Sequence, residues 1–428
     1  MQVNKLLSMA ALCGVVGHMG CAAGPSAQCA EDNAGLTLPE GFCALVVADS
    51  VGPARHLTVA GNGDVFVAVT GRRTRAGDGT PGHVLVLRDS DGDGTADVRR
   101  TFARGRASDV RFHGGFLYYS TATDIVRYPW AQGEMEPSGT ADTVVRGLPP
   151  QRGHWAKTMA FDANGALYVN IGSITNSCQV RERQNGARGH DPCTELEGQA
   201  GVWVFDADRL GQVQDDGRRF ATGLRNTVAL ATRPQDGLLY GVIHGRDQLA
   251  QNWAGLFNEE QGAETPAEEF VRIEDGDNFG WPYCYYDGES GVKVLAPEYG
   301  GDGSERGRCA DMKDPLIGLP GHWAPNGLLF YAGDQFPERF RGGAFVAFHG
   351  SWNRAPLPQG GYNVVFVPFA GEEPTGEWDV FARGFSTDPP TLAGPHRPVG
   401  LAEGPDGSLY ISDDAGGRIY RILYTGAR

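Results

Sequence analysis

The chain lacks any run of lysine and arginine, and its formal net charge is −15. A surface that acidic repels phosphate backbones, so nucleic acid is excluded as a partner and cations are the expected ones. Beyond Gly20 no stretch is apolar and long enough to span a bilayer. No Cys-x-x-Cys-His occurs, which rules out a covalently attached c-type haem. Helical periodicity is also nearly missing, and Pro266-Ala267-Glu268-Glu269-Phe270 supports at most one short turn.

Glycine is abundant, 63 residues of 428, with 26 prolines. The glycines follow no collagen-like triplet and separate short strand-like runs, the pattern of many strands joined by tight turns. The length suits one large all-β domain or two average ones.

The N-terminus reads as an export signal over residues 1–20. Lys5 supplies the positive charge, and Leu6 to Gly17 form an apolar stretch too short to span a membrane. His18-Met19-Gly20-Cys21 approximates a lipobox, with His18 where Leu or Val is usual, so Cys21 is the expected lipid site and the one membrane link. Residues 21–40 read as a tether and 41–428 as the folded domain. Six further cysteines form sequence-local pairs, Cys29 with Cys43, Cys178 with Cys193, and Cys284 with Cys309. In an exported chain these are expected disulfides, each closing a short loop and contributing about 3 kcal/mol through chain entropy.

A phrase recurs along the chain: a short apolar strand, a turn with Gly and often Asp or Asn, then an aromatic and β-branched strand. Copies begin near Arg55, Ser108, Lys157, Asn226, Pro325 and Arg397. The last is the clearest, with Pro405-Asp406-Gly407-Ser408 leading into Leu409-Tyr410-Ile411. Each copy reads as a four-stranded blade that cannot bury both faces alone, so a ring of about six is expected, a six-bladed β-propeller. A sandwich pair or a solenoid explains the repeated aromatic strand less well. Long insertions at about 171–200, 244–285 and 350–361 are expected to gather on one face and carry the function.

Several groups could carry chemistry. Asp89, Asp91, Asp93 and Asp97 stand in the spacing of half an EF-hand loop, with Gly94 at the turn but Arg100 in place of the closing Glu. They suggest a structural calcium, the plainer reading being a solvated acidic turn. His154, in Gly153-His154-Trp155, sits where a blade begins and could serve as a general base. Arg225, in Gly223-Leu224-Arg225-Asn226, could stabilise an oxyanion at the same face. For each of these two alone, packing or an ion pair is the plainer reading. Gly245 and Arg246, with Glu268 and Glu269, could form a hard-cation site. Arg354 and Arg397 bring further guanidiniums to blade ends, and three converging arginines imply a polyanionic ligand.

These phrases occur in the same order in one family. On Gly153-His154-Trp155, Gly223-Leu224-Arg225-Asn226, Gly280-Trp281-Pro282-Tyr283-Cys284, His349-Gly350-Ser351-Trp352-Asn353-Arg354 and Arg397-Pro398-Val399-Gly400-Leu401, the chain resembles the quinone-dependent sugar dehydrogenases. The likeness is distant to soluble glucose dehydrogenase and closer to the sorbosone dehydrogenase-like and pyranose dehydrogenase propellers. It implies pyrroloquinoline quinone and calcium at the funnel of a six-bladed propeller. His154 would take the hydroxyl proton of a sugar or polyol, and Arg225 would stabilise the oxyanion. Arg225, Asn226, Arg354, Arg397 and Trp352 would bind the cofactor. The carbonyls of Gly245 and Arg246 would hold its calcium, with Glu268 and Glu269 near a second cation. Trp155, Trp281, Trp323 and Trp352 would offer stacking surfaces to the sugar. Electrons would leave to an external acceptor. Two positions depart from the family pattern: Thr227 replaces a Pro, and Lys157 stands where an Arg is expected. A calcium-dependent lactonase, or a non-catalytic surface propeller binding a glycan or protein, are the competing readings. The first needs acidic and amide ligands converging on the channel, and the second has no use for His154 and Arg225.

Overall fold

The computed structural model describes residues 28–71, 79–392 and 394–426. The expected export signal and Cys21 lie outside the described residues. Every copy of the repeat is a four-stranded antiparallel sheet. Five run in chain order, over residues 54–102, 109–145, 159–222, 229–319 and 325–382. The sixth is composite: Pro398–Glu403, Leu409–Asp413 and Ile419–Tyr424 are completed by Phe42–Ala48 from the other end of the chain. The innermost strands (Ala54–Val59, Asp109–His113, Met159–Phe161, Ala229–Thr232, Pro325–Phe330 and Pro398–Glu403) each touch both neighbours and close the ring. The chain is a six-bladed β-propeller.

Period-two alternation explains why the blades stack. In Val65–Gly71, Val65, Val67 and Val69 pack against Ala402 and Ile419 of the sixth blade, while Phe66 and Ala68 pack against Val110 and Leu117 of the second. One strand thus feeds two cores, and each fully buried Val or Phe contributes about 1.5–3 kcal/mol that an isolated blade would forgo. Closure of the ring is anchored by Phe42, whose ring meets Phe336, Phe340 and Phe381 edge-on at centroid distances of 4.8, 5.2 and 5.0 Å.

Connections alternate between two faces. The turns from first to second strand lie on what we call the lower face, where Gly63 and Gly407 take φ of 90° and 80°, a left-handed conformation that favours glycine. Loops from second to third strand and from blade to blade lie on the upper face. There the insertions 172–200, 244–267 and 349–362 gather; the stretch 244–285, expected as a single insertion, is divided by the strand Glu268–Ile273. The fourth blade adds the excursion 274–316, which climbs from the lower end until Trp281 Nε1 donates to the Asn176 carbonyl at 2.9 Å.

Cys29–Cys43, Cys178–Cys193 and Cys284–Cys309 are disulfides. The second pins the upper-face insertion 172–200, and the third closes a loop within the excursion 274–316. Residues 28–40, whose composition suggested a tether, lie against the body: Leu36 is buried with Phe42 and Phe385, and Thr37 pairs with Arg383. No helical turn forms at 266–270, because Glu268–Ile273 is the third strand of blade four. Short helices occur instead at Leu249–Asn252 and Glu259–Glu264, the latter capped by Asn258.

Candidate active site

His154 lies on the connection from blade two to blade three. Its Nδ1 is 3.0 Å from the Ser173 carbonyl and 2.9 Å from Ser173 Oγ. A carbonyl only accepts, so Nδ1 carries the proton and Nε2 keeps its lone pair. Ser173 Oγ donates onward to the Thr175 carbonyl at 2.7 Å, which leaves its lone pairs for the imidazole. Burial, then the neighbouring charges of Arg225 and His244, hold the ring well below the ordinary histidine range. It is neutral at pH 7. Gly172 permits the close approach of two connections: a Cβ there would stand 2.5 Å from His154 Cβ and 2.9 Å from Asn226 Oδ1. His154 and the Arg225-Asn226 pair are therefore adjacent, and the Ser173 amide donates to the Arg225 carbonyl at 2.8 Å.

Arg225 is buried, and four acceptors hold its guanidinium. Nε donates to Asn176 O (3.1 Å), Nη1 to Gly245 O (2.8 Å), and Nη2 to Asn176 Oδ1 (3.0 Å) and Asp247 Oδ2 (2.9 Å). Asp247 also accepts from Arg183 Nη2 at 2.9 Å and from Asn353 Nδ2 at 3.2 Å. Burial pushes the Asp247 carboxyl up, but Arg225, His322 and Arg183 more than offset this and keep it below the usual carboxylate range. Asn176, Asp247 and Asn353 are the amide and carboxylate donors a metal-dependent lactonase would need. Here the Arg225 guanidinium already binds the Asn176 and Asp247 oxygens, so that set is committed to a cation of the chain itself.

The expected cation ligands divide. Gly245 presents its carbonyl to Arg225 and its amide to Glu268 Oε2 at 2.8 Å. Arg246 turns its side chain inward onto Glu298, with both oxygens at 2.6 Å. Glu268 is buried, accepts also from Ala324 N at 3.1 Å, and is pushed by burial up to about 8. Glu269 is its neighbour on a strand and so points to the other face. There it meets the buried Lys293 ammonium at 2.5 Å. Glu268 and Glu269 therefore do not face one common ion, and an ammonium already occupies the cation position at Glu269.

The two remaining arginines behave differently from one another. Arg354 spends its guanidinium on the protein, donating to Ala263 O and Gly321 O at 2.8 Å and to Glu264 at 2.5 Å. It ties two upper loops together rather than facing a ligand with a free fork. Arg397 donates to the carbonyls of His349 (2.9 Å) and Gly350 (2.6 Å), and among the described residues its Nη1 makes no hydrogen bond. Beside it Asp414 accepts from His349 Nε2 at 2.7 Å and from Arg55 Nη1 at 3.0 Å. Of the tryptophans, Trp352 is half exposed beside Arg183, whereas Trp281 is buried and Trp323 packs edge-on against Phe348 and Trp378. Trp155 lies against the Arg106 guanidinium at 3.7 Å.

Asp89, Asp91 and Asp93 lie on the lower face, in the third-to-fourth strand turn of blade one, with ligand oxygens within 4.8 Å of one another. Asp97 is outside that group and accepts from Ser90 N at 2.7 Å. Asp247, Asn176, Asp414 and Arg55 were not singled out as site residues. Asp247 had a signal, since it follows His244-Gly245-Arg246. Asn176 and Asp414 had none, because their partners are far away in sequence.

Among curated proteins, the pyrroloquinoline quinone-dependent pyranose dehydrogenase of Coprinopsis cinerea is 26% identical over 90% of this chain and 54% of its own. The pyrroloquinoline quinone-dependent sugar dehydrogenase of Hypocrea jecorina is 23% identical over 90% and 85%. An uncharacterized protein of Borreliella burgdorferi is 30% identical over 48% of each chain. The chain thus spans about half the length of the first curated relatives it matches. Solved structures share the fold: a Trichoderma reesei Carbohydrate-Active Enzymes Family AA12 protein has a TM-score of 0.75 at 20% identity, covering 91% of this chain and 98% of that one. The holo pyranose dehydrogenase PQQ domain of Coprinopsis cinerea has a TM-score of 0.71 at 22% identity, covering 94% and 99%. Residues 36–425, which include all six blades and the closing strand, match the TrAA12-like family model, and the chain belongs to that family.

Proposed function

We propose that the upper face binds pyrroloquinoline quinone with a calcium ion and oxidises a hydroxyl of a sugar or polyol. The observation that carries this reading is the neutral His154 ring, with Nδ1–H fixed on Ser173 and Nε2 left as a base, beside a buried Arg225. The residues present fit a polyanionic group. Arg55, Arg183, Arg225 and Arg397 outnumber Asp414, Asp247 and Glu182, the carboxylates with which the first three pair, and among the described residues Arg55 Nε and Asn353 Oδ1 are buried without hydrogen-bond partners. Arg397, Arg225, Asn226 and Trp352 would hold the quinone. The Gly245 and Arg246 carbonyls would hold its calcium, the Gly245 oxygen keeping one lone pair beyond Arg225. When bound, the quinone supplies a two-electron acceptor for a hydride. His154 Nε2 takes the hydroxyl proton as the carbonyl forms, and the Arg225 charge stabilises negative charge developing beside it. Trp352 offers its exposed face to the sugar ring, and electrons pass to an external acceptor. The disulfides suit an oxidising compartment outside the cytoplasm, with Cys21 as the proposed lipid anchor.

The test uses the mature chain loaded with calcium and pyrroloquinoline quinone, then freed of unbound cofactor. Its absorption spectrum is recorded before and after addition of a panel of aldoses and polyols. Retained quinone that a sugar reduces is the expected result. Folded, calcium-replete protein that retains no quinone would overturn the reading in favour of a non-catalytic propeller.

A further inference from the structure

His154 is oriented by Ser173, and two buried side chains with no part in the proposed chemistry hold that arrangement together. Gln151 Nε2 donates to the Gly172 carbonyl at 2.5 Å, and Gln151 Oε1 accepts from Lys157 Nζ at 2.7 Å. Lys157 Nζ also donates to the Trp155 carbonyl at 3.1 Å. The ammonium therefore grips the chain one residue after His154. Through Gln151 it also grips the residue before Ser173, whose carbonyl and hydroxyl receive the His154 Nδ1 proton.

Lys157 is an expensive way to make this link. Its side chain is fully buried, both acceptors are neutral, and among the described residues no carboxylate pairs with it. Arg106, stacked on Trp155, adds charge of the same sign nearby. Burial first, then Arg106, brings the ammonium down to about 7. An apolar side chain of similar volume would suit such a position at lower cost to stability. What it could not do is hold carbonyl and amide oxygens of separate segments at one point, as an ammonium with rotatable donors does. The cost is thus placed beside the one ring whose direction matters.

We infer that Lys157 and Gln151 are positioning residues for His154, clamping the Trp155 and Gly172 carbonyls so that Nδ1–H meets Ser173 and Nε2 faces the substrate. The importance of the clamp rests on the proposed dehydrogenase reading, but its existence can be tested without turnover. The probe is 15N-histidine NMR of the mature chain, free of cofactor and sugar, in wild type, Lys157→Met and Gln151→Met. The second variant leaves the Lys157–Trp155 link intact and removes only the tie to Gly172. Arg225, His244 and Asp247, the charged and titratable groups facing His154, are the same in all three proteins.

In the wild type, His154 is expected as a single neutral tautomer protonated at Nδ1, with no titration near the ordinary midpoint of about 6.5. In both variants the two ring nitrogens are expected to average, with the midpoint moving up toward that value. In cofactor-loaded protein, single-turnover reduction should fall by about tenfold to a hundredfold, with little change in the sugar KM. Variants that keep the wild-type tautomer and titration overturn the clamp, whatever their activity. Loss of folding in both variants also overturns it, in favour of a structural role. If the NMR signature changes as expected but no form of the protein ever reduces quinone, the clamp stands and the dehydrogenase reading fails.

Discussion

The two faces of the ring use charge in opposite ways. On the lower face, Asp89 accepts from the amides of Gly92 and Gly94 at 2.8 Å, and Asp97 accepts from Ser90. These contacts lie within a few residues of each other, are mostly exposed, and shape a turn. On the upper face, Asp247 collects Arg225, Arg183 and Asn353, and Asp414 collects Arg55 and His349, with partners from different blades and much less water. A solvated local contact is worth little and is easily replaced. A desolvated contact between distant segments holds loops in place and leaves an uncompensated charge when broken. Substitutions at the two ends should therefore differ by far more than the chemistry of the side chains suggests.

The largest effect should come from His154→Ala. Its loss removes the proposed base but no ion pair, so the propeller should stay folded and keep the proposed quinone. Rapid-mixing measurement of sugar-driven quinone reduction should show a fall of about 10²–10⁴-fold. A rate within a few-fold of wild type would mean that the proton leaves by another route.

Arg225→Leu should come next, now in stability. It strands Asp247 among buried groups, a loss of about 3–5 kcal/mol by urea unfolding. Because Arg183 stays, the lower end of that range is expected. Adding Asp247→Leu should recover part of the loss, since the uncompensated charge then goes too. If the double variant is no more stable than the single, the cost lies in the lost Asn176 and Gly245 contacts, not in charge.

The same contrast explains what could be read from the chain alone. The six blades were legible because strand alternation and Asn-Gly or Asp-Gly turns are local patterns: the copies noted near Arg55, Ser108, Lys157, Asn226, Pro325 and Arg397 mark the starts of the six inner strands. The disulfides were legible for the same reason, as pairs close in sequence. His154 and Arg225 came from phrases shared with a family. Their partners Asn176, Asp247 and Asp414 did not, since nothing near Asn176 indicates that it will meet residue 225 across two insertions. Arg354 and Glu269 show the converse. Residue type made them ligand candidates, but the fold supplied Glu264, Gly321 and Lys293 as partners first.

Asp414 allows a pH test of the upper face. Burial raises its carboxyl, but His349 and then Arg55 more than offset this and hold it below the usual range. A carboxyl depressed in the folded state contributes stability that is present above its unfolded value, about 3.9, and is lost as pH falls toward its folded value. Stability should thus drop in acid, by on the order of 2 kcal/mol from this group. Asp414→Asn should be less stable at pH 7 and show a flatter acid limb. Parallel acid limbs in the two proteins would show that another group carries the dependence.

Asp97→Ala is the smallest expected effect and the one that most sharpens the contrast. Asp97 and Asp247 are both aspartates with hydrogen-bonded carboxylates, so residue type alone predicts similar losses. Asp97, however, caps an exposed turn through Ser90, and water can replace that contact once the side chain is gone. The expected cost by urea unfolding is small, well below that of Arg225→Leu, because the group is fully exposed. Sugar-driven reduction should be unchanged, because the turn lies at the far end of the blade from His154. A loss as large as that of Arg225→Leu, or a slower reduction, would mean that the lower turn is coupled through blade one to the upper loops. The two faces would then be one cooperative unit rather than a scaffold end and a working end.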